Sequence, residues 1–123
     1  VPIGMIQCIP DCKKNKAGHL GLLVDCEAQG KHIPTEAMIL TMDYLFNRQG
    51  YNKVVLEILE SNESLKNTLD KSGWYREGKL LQECFIDGRF QNELRYCMTA
   101  KYFNKNKDQA MKEYIQWADS LKV

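Results

Sequence analysis

At 123 residues the chain has room for one hydrophobic core and no more. Its 17 Lys and Arg against 16 Asp and Glu leave a net charge of +1, which excludes the basic footprint of a nucleic-acid binder and a surface made for acidic lipid. No run approaches the length of a bilayer span and no secretory leader is visible. The five cysteines (Cys8, Cys12, Cys26, Cys84, Cys97) are odd in number and scattered, which predicts reduced, half-buried thiols in a cytoplasmic protein rather than a disulfide framework.

The chain opens on Val1, directly in strand-like sequence, and reads as part of a longer protein. Ile3 to Ile9 is predicted as a strand, Pro10 to Lys16 as a polar turn whose Lys13, Lys14 and Lys16 are solvated, and Ala17 to Cys26 as a second strand forming an antiparallel hairpin with the first. From Pro34 to Gln49 the set Ala37, Leu40, Tyr44 and Leu45 recurs at helical spacing, widened by Met38 and Met42, with Gly50 as the C-terminal stop. Lys53 to Leu59 is almost wholly apolar, interrupted by Glu57, and reads as an inner parallel strand covered on both faces. Strand, helix and strand then form one right-handed βαβ unit.

Ser61 or Asn62 can cap a second helix that runs to about Ser72, with Glu63 in its first turn and Gly73 ending it. Gly78 to Ile86 and Arg89 to Ala100 read as strands joined at Asp87-Gly88, a strong two-residue hairpin signal. The tail from about Lys107 to Leu121 puts Ala110, Tyr114, Trp117, Ala118 and Leu121 on one helical face, which must bury against this domain, a second copy or another part of the protein. Neither an internal repeat nor a low-complexity segment is present.

Between the second strand and the first helix lies Glu27-Ala28-Gln29-Gly30-Lys31-His32-Ile33-Pro34-Thr35-Glu36-Ala37. A helix that starts after a strand presents unpaired backbone N–H groups and a partial positive charge, a setting suited to a pyrophosphate. The segment resembles the acyl-CoA-binding signature of the GNAT superfamily of N-acyltransferases, with Gln29 opening the turn; His32 stands where the family usually has Gly, and Pro34 where it has Gly or Ala. The resemblance extends from about Ile3 to Phe103 and is closest to the branch that acetylates ribosomal-protein N-termini and spermidine. It is carried by Gly21-Leu22, Thr35-Glu36-Ala37, Ser61-Asn62-Glu63, Lys71-Ser72-Gly73-Trp74, Glu77-Gly78 and Phe85-Ile86-Asp87-Gly88-Arg89-Phe90-Gln91-Asn92, in family order and spacing.

What the resemblance implies is an α/β fold: a mixed, mostly antiparallel sheet with helices on both faces, lacking the family's N-terminal strands and helices. Residues 1–103 would be the C-terminal portion of the domain and residues 104–123 an amphipathic C-terminal helix. The strand ending near Cys26 and the strand Lys53 to Leu59 would splay apart and take up the pantetheine arm of acetyl-CoA as an added strand. Leu23 and Val24 would supply main-chain contacts, Gln29, Gly30, Lys31, His32, Ile33 and Thr35 would cradle the pyrophosphate, and Asn62 would help hold the arm. His19 stands where this branch often has Glu and is the candidate base for the acceptor amine, although a surface histidine beside a hairpin would look the same. Leu69 stands where many members carry the Tyr that protonates the departing thiolate. Tyr75 is a nearby phenol.

Three other functions are weighed beside N-acetylation of a primary amine. Cys8, Cys12, His19 and Cys26 are metal-ligand types, but their spacing matches no compact zinc knuckle, so no metal is expected. A nucleotide-binding domain would need a Gly-rich fingerprint and an acidic partner on the next strand, and both are missing. A non-catalytic GNAT-like module for CoA sensing or assembly is the main competing function. The expected partners are acetyl-CoA, an amine acceptor, and either a second copy or the family's N-terminal portion.

Overall fold

The computed structural model describes residues 4–11, 14–24 and 33–120. In chain order the elements are β1 (Gly4–Pro10), β2 (Ala17–Val24), α1 (Ile33–Asn47), β3 (Lys53–Leu59), α2 (Glu63–Lys71), β4 (Tyr75–Ile86), β5 (Arg89–Thr99) and α3 (Ala100–Ser120). The strands make one sheet in the order β1-β2-β3-β5-β4, a mixed and mostly antiparallel arrangement.

β1 and β2 form the expected hairpin, paired from Gly4 with Val24 to Pro10 with Gly18. β3 is central but parallel on one side only: it runs parallel to β2 and antiparallel to β5. The β4–β5 hairpin turns at Asp87 and Gly88, with φ of 54° and 76°, the positive pair that a two-residue turn requires and that Asp-Gly tolerates. At the end of α1, Gly50 adopts φ 73°, which lets the Tyr51 N–H donate to the Leu45 carbonyl at 2.9 Å and closes the helix.

One face of the sheet carries the core. Val54, Leu56 and Ile58 of β3 stand opposite Met98, Tyr96 and Leu94 of β5, and all are buried. Against them pack Ile39, Met42, Leu45 and Phe46 of α1, Leu69 of α2 and Phe103 of α3. The expected helices on both faces are met on this one face among the described residues. On the other, Val55 and Cys97 are buried among charged side chains.

Two expectations about helices change. The buried stripe of α1 is Ile39, Met42, Leu45 and Phe46, while Leu40 and Tyr44 are 56% and 50% exposed. This helix is apolar on nearly every side, so periodicity alone cannot fix which side turns inward. In addition, α3 starts at Ala100, directly after β5, rather than near Lys107, and it runs through the boundary drawn between residues 103 and 104. Thr99 Oγ1 accepts from the Tyr102 N–H at 3.3 Å at the start of this helix. The first turns of α3 are then fixed against α1 by the Phe46–Phe103 ring contact at 5.4 Å, reciprocal Asn47–Asn104 amide bonds, and Lys107 on Asp43 at 3.2 Å. Of the tail stripe, the side chains of Ala110, Tyr114, Trp117 and Ala118, together with Leu121, lie outside the described residues.

Candidate active site

The opening between β2 and β3 defines the site. Their parallel pairing covers only Ala17 with Lys53, Gly18 with Val54 and His19 with Val55. Beyond His19 and Val55 both strands continue, β2 to Val24 and β3 to Leu59, without pairing to each other. The backbone of Leu20 to Val24 on the β3 side therefore has no ladder partner among the described residues, and an extended chain fits there as an added strand. Leu23 and Val24 lie in this stretch, and Leu23 is 68% exposed.

His19 sits at the fork. Ladder partners share a face, so His19 lies on the helix-free face with Val55, while Leu20 turns into the core. Around it is a charged cluster from three strands. His19 Nδ1 is 3.4 Å from Glu57 Oε1, and Arg95 Nη1 is 3.9 Å from the same oxygen. Glu77 takes Lys53 Nζ at 2.8 Å on one oxygen and lies 3.3 Å from Arg95 Nε on the other. The Arg95 Nε contact is an ion pair without hydrogen-bond alignment, which leaves that buried N–H unsatisfied. A concavity of about 350 Å³ leads to His19 from the starts of β2 and β3, past Asp11, Asn15, Asn52 and Lys53.

Glu77 owes its position to a bulge, since the pairing of β4 with β5 shifts between Arg76 and Gly78. A hydrogen bond from the Cys97 thiol, then one from Lys53, holds its carboxyl below the ordinary glutamate range. Burial, and then the same bond to Glu77, pushes Cys97 up to about 11, so this thiol is neutral and unreactive at physiological pH. A carboxyl with a depressed folded-state pKa stabilises the fold above its unfolded pKa, and that stability is lost as pH falls through the folded value. Glu77→Gln is therefore expected to flatten the acid side of the stability–pH curve below the ordinary glutamate range, as denaturant melts between pH 3 and 6 would show. An unchanged slope would contradict the assignment.

The other sequence-predicted positions divide as follows. Gln29, Gly30, Lys31 and His32 lie outside the described residues. Ile33, Pro34 and Thr35 form the first turn of α1, so a helix does start where the phosphate turn was expected. Asn62 caps α2, its side-chain oxygen accepting from the Leu65 N–H at 3.2 Å. Its amide NH₂ remains the group by which it would reach a ligand. Leu69 is 4% exposed and packs in the core, where it offers no proton donor. Tyr75 is 70% exposed on the helix-free side. Cys8 pairs with Leu20 and His19 with Ile9, so Cys8 and His19 face opposite sides of the sheet and cannot share a metal ion. Cys12 and Cys26 lie outside the described residues.

The run from Asp87 to Asn92 has a structural task. Asn92 Oδ1 accepts from the Gln82 N–H at 2.8 Å at the second bulge of β4, where Gln82 has φ 53°. Asn92 Nδ2 reaches Glu60 Oε1 at 3.3 Å, and Glu60 also pairs with Lys79 at 2.6 Å. Of the groups around His19, only Glu57 stood out beforehand, as the charge that interrupts the apolar run of β3. Lys53, Glu77 and Arg95 gave no signal, because their meeting depends on strand order and a bulge.

The mixed sheet opens between two parallel strands, and a helix starts at Ile33, after the first of them in chain order. The chain belongs to the GNAT acetyltransferase family: residues 1–74 match the acetyltransferase (GNAT) domain. It is 30% identical over 95 residues to spermidine N(1)-acetyltransferase of Escherichia coli, covering 77% of this chain and 51% of that protein. Its match to the Vibrio cholerae spermidine N(1)-acetyltransferase is 27% identical over 105 residues, 85% of this chain and 61% of that protein. A solved structure of a variant of the Vibrio cholerae spermidine N-acetyltransferase superposes with a TM-score of 0.79 at 26% identity, covering 85% of this chain and 62% of the other. The chain thus spans between half and two thirds of the length of these relatives. No described helix is long and apolar enough to cross a membrane.

Proposed function

We propose that the full-length protein transfers the acetyl group of acetyl-CoA directly to a primary amine, and that the acceptor is a polyamine, the substrate named for its relatives. The observation that carries this reading is the parting of β2 from β3 beyond His19 and Val55 in a chain of the GNAT family. Acetyl-CoA supplies an activated thioester. The free backbone at Leu23 and Val24 takes up its pantetheine arm, and an N–H there polarises the thioester carbonyl, an effect worth roughly 3–4 kcal/mol in such sites. The turn Gln29 to Thr35 holds the pyrophosphate, and Asn62 steadies the arm.

His19 takes the proton of the amine at the fork. With Leu69 in the core, the leaving thiolate is protonated by water. The free thiols of Cys8, Cys84 and Cys97 support a reducing, cytoplasmic setting. We further propose that β1, at the sheet edge with Met5 and Ile9 more than half exposed, pairs with a second copy or with the family's N-terminal portion.

Acetyl-CoA is expected to raise the melting temperature of the full-length protein, and Thr35→Glu to abolish that shift by charge repulsion at the phosphate turn. Pro34 lacks an N–H in the first helical turn. Pro34→Ala restores one charge-assisted hydrogen bond of roughly 1.5–3 kcal/mol and tightens binding about ten- to a hundred-fold. Calorimetry on both variants checks this. No binding at millimolar acetyl-CoA would remove both the enzyme and the CoA-sensing module and leave a role in assembly.

A further inference from the structure

Resting on the reading of His19 as the base, we propose that Glu57 is its positioning residue: the carboxylate holds the ring through Nδ1 so that Nε2 is bare to receive the proton of the amine. His19 and Val55 are the last paired residues of β2 and β3, and Glu57 is the next residue of β3 on the same face. It stands where the strands have begun to part, and Nδ1 lies 3.4 Å from its Oε1. Both side chains are about one third exposed, so the pair borders the opening without being sealed from a substrate.

The surrounding charges leave Glu57 available for this task. Lys53 and the Nε of Arg95 are engaged with Glu77, and the Cys97 thiol bonds the same carboxyl. Among the described residues, Glu57 has the more distant Arg95 Nη1, at 3.9 Å, as its ion-pair partner besides His19. Asp11 also lines the concavity. A neutral imidazole in water prefers its proton on Nε2, the form in which Nε2 cannot act as a base. A carboxylate at Nδ1 reverses that preference, because the nitrogen that donates fixes which one is bare. In the reaction the amine nitrogen bonds to the thioester carbon, the C–S bond breaks with its electron pair going to sulfur, and the proton shed by the nitrogen goes to His19 Nε2.

The test uses the full-length protein labelled with ¹⁵N-histidine, at a pH above the imidazole titration range, with His19→Gln identifying the His19 signals. The expected spectrum shows Nδ1 protonated and Nε2 bare in the parent, and the reverse in Glu57→Ala. A parent ring carrying its proton on Nε2 overturns the proposal without any variant, as does a tautomer unchanged in Glu57→Ala. In steady-state assays Glu57→Ala lowers kcat about tenfold or more with KM for acetyl-CoA held within about twofold, and adds nothing to the loss in His19→Gln. Additive losses overturn the coupling. Should the protein acetylate no amine, the reading of His19 as a base fails on its own, and the tautomer still decides whether Glu57 sets the ring.

Discussion

If His19 is the base we propose, replacing it with glutamine lowers kcat of the full-length protein on the order of 10²- to 10⁴-fold, the range that a positioned base contributes. The imidazole stands where β2 leaves β3, on the face free of helices, beside the exposed backbone proposed to hold the thioester. Its side chain is 38% exposed and takes no part in the core, so the loss should appear in rate and not in stability. Acetyl-CoA affinity, which we propose to rest on the backbone of Leu23 and Val24 and on the turn Gln29 to Thr35, should stay within about threefold of the parent. Stopped-turnover kinetics with a saturating amine make the measurement. A kcat within about threefold of the parent would return His19 to an ordinary residue at a hairpin and move proton removal to water.

The largest loss of stability is expected at Leu94. It is 2% exposed, faces Ile58 across the β3–β5 ladder, and lies in the cluster to which all three helices contribute. Leu94→Ala leaves a cavity in the middle of that cluster and costs roughly 2–5 kcal/mol. This corresponds to a melting temperature lower by roughly 5–20 °C. Leu81→Ala, at a position 73% exposed on β4, is the matched control and should change stability by about 0.5 kcal/mol or less. Equal effects at the two positions would mean that the sheet face carrying Leu94 is not the core.

Most of the fold was legible because each element carries its own punctuation. Asp87-Gly88 marks a turn that needs two positive φ values, Gly50 ends α1, and Asn62 caps α2, each within a residue or two of expectation. The splay of β2 from β3 followed from the family resemblance, and the register bears it out. Four things were not legible. The inward side of α1 was hidden because Leu40 and Tyr44 are as apolar as the residues that bury. The start of α3 was hidden because Ala100 to Phe103 continues the apolar and aromatic run of β5, and only the packing of Phe103 on Phe46 shows where strand gives way to helix.

The charged cluster around the fork was hidden for a topological reason. Lys53, Glu57, Glu77, Arg95 and His19 come from four strands, and they meet only because β5 inserts between β3 and β4. Alternation along a strand says which residues share a face, not which strands are neighbours. The tight approaches at two glycines were likewise beyond sequence reasoning. A Cβ on Gly73 would fall 2.6 Å from the Tyr102 hydroxyl, and one on Gly18 would fall 2.7 Å from the Cys8 sulfur.

We propose that the full-length protein moves an acetyl group from acetyl-CoA to an amine. The most direct measurement is release of free CoA thiol by the full-length protein incubated with acetyl-CoA and spermidine, with mass analysis of the polyamine product. The account predicts thiol release that depends on both substrates, stoichiometric with a singly acetylated product, and suppressed in Thr35→Glu. Tight binding of acetyl-CoA without thiol release, across polyamines, small primary amines and peptide N-termini alike, would contradict it and leave a CoA-sensing module in its place.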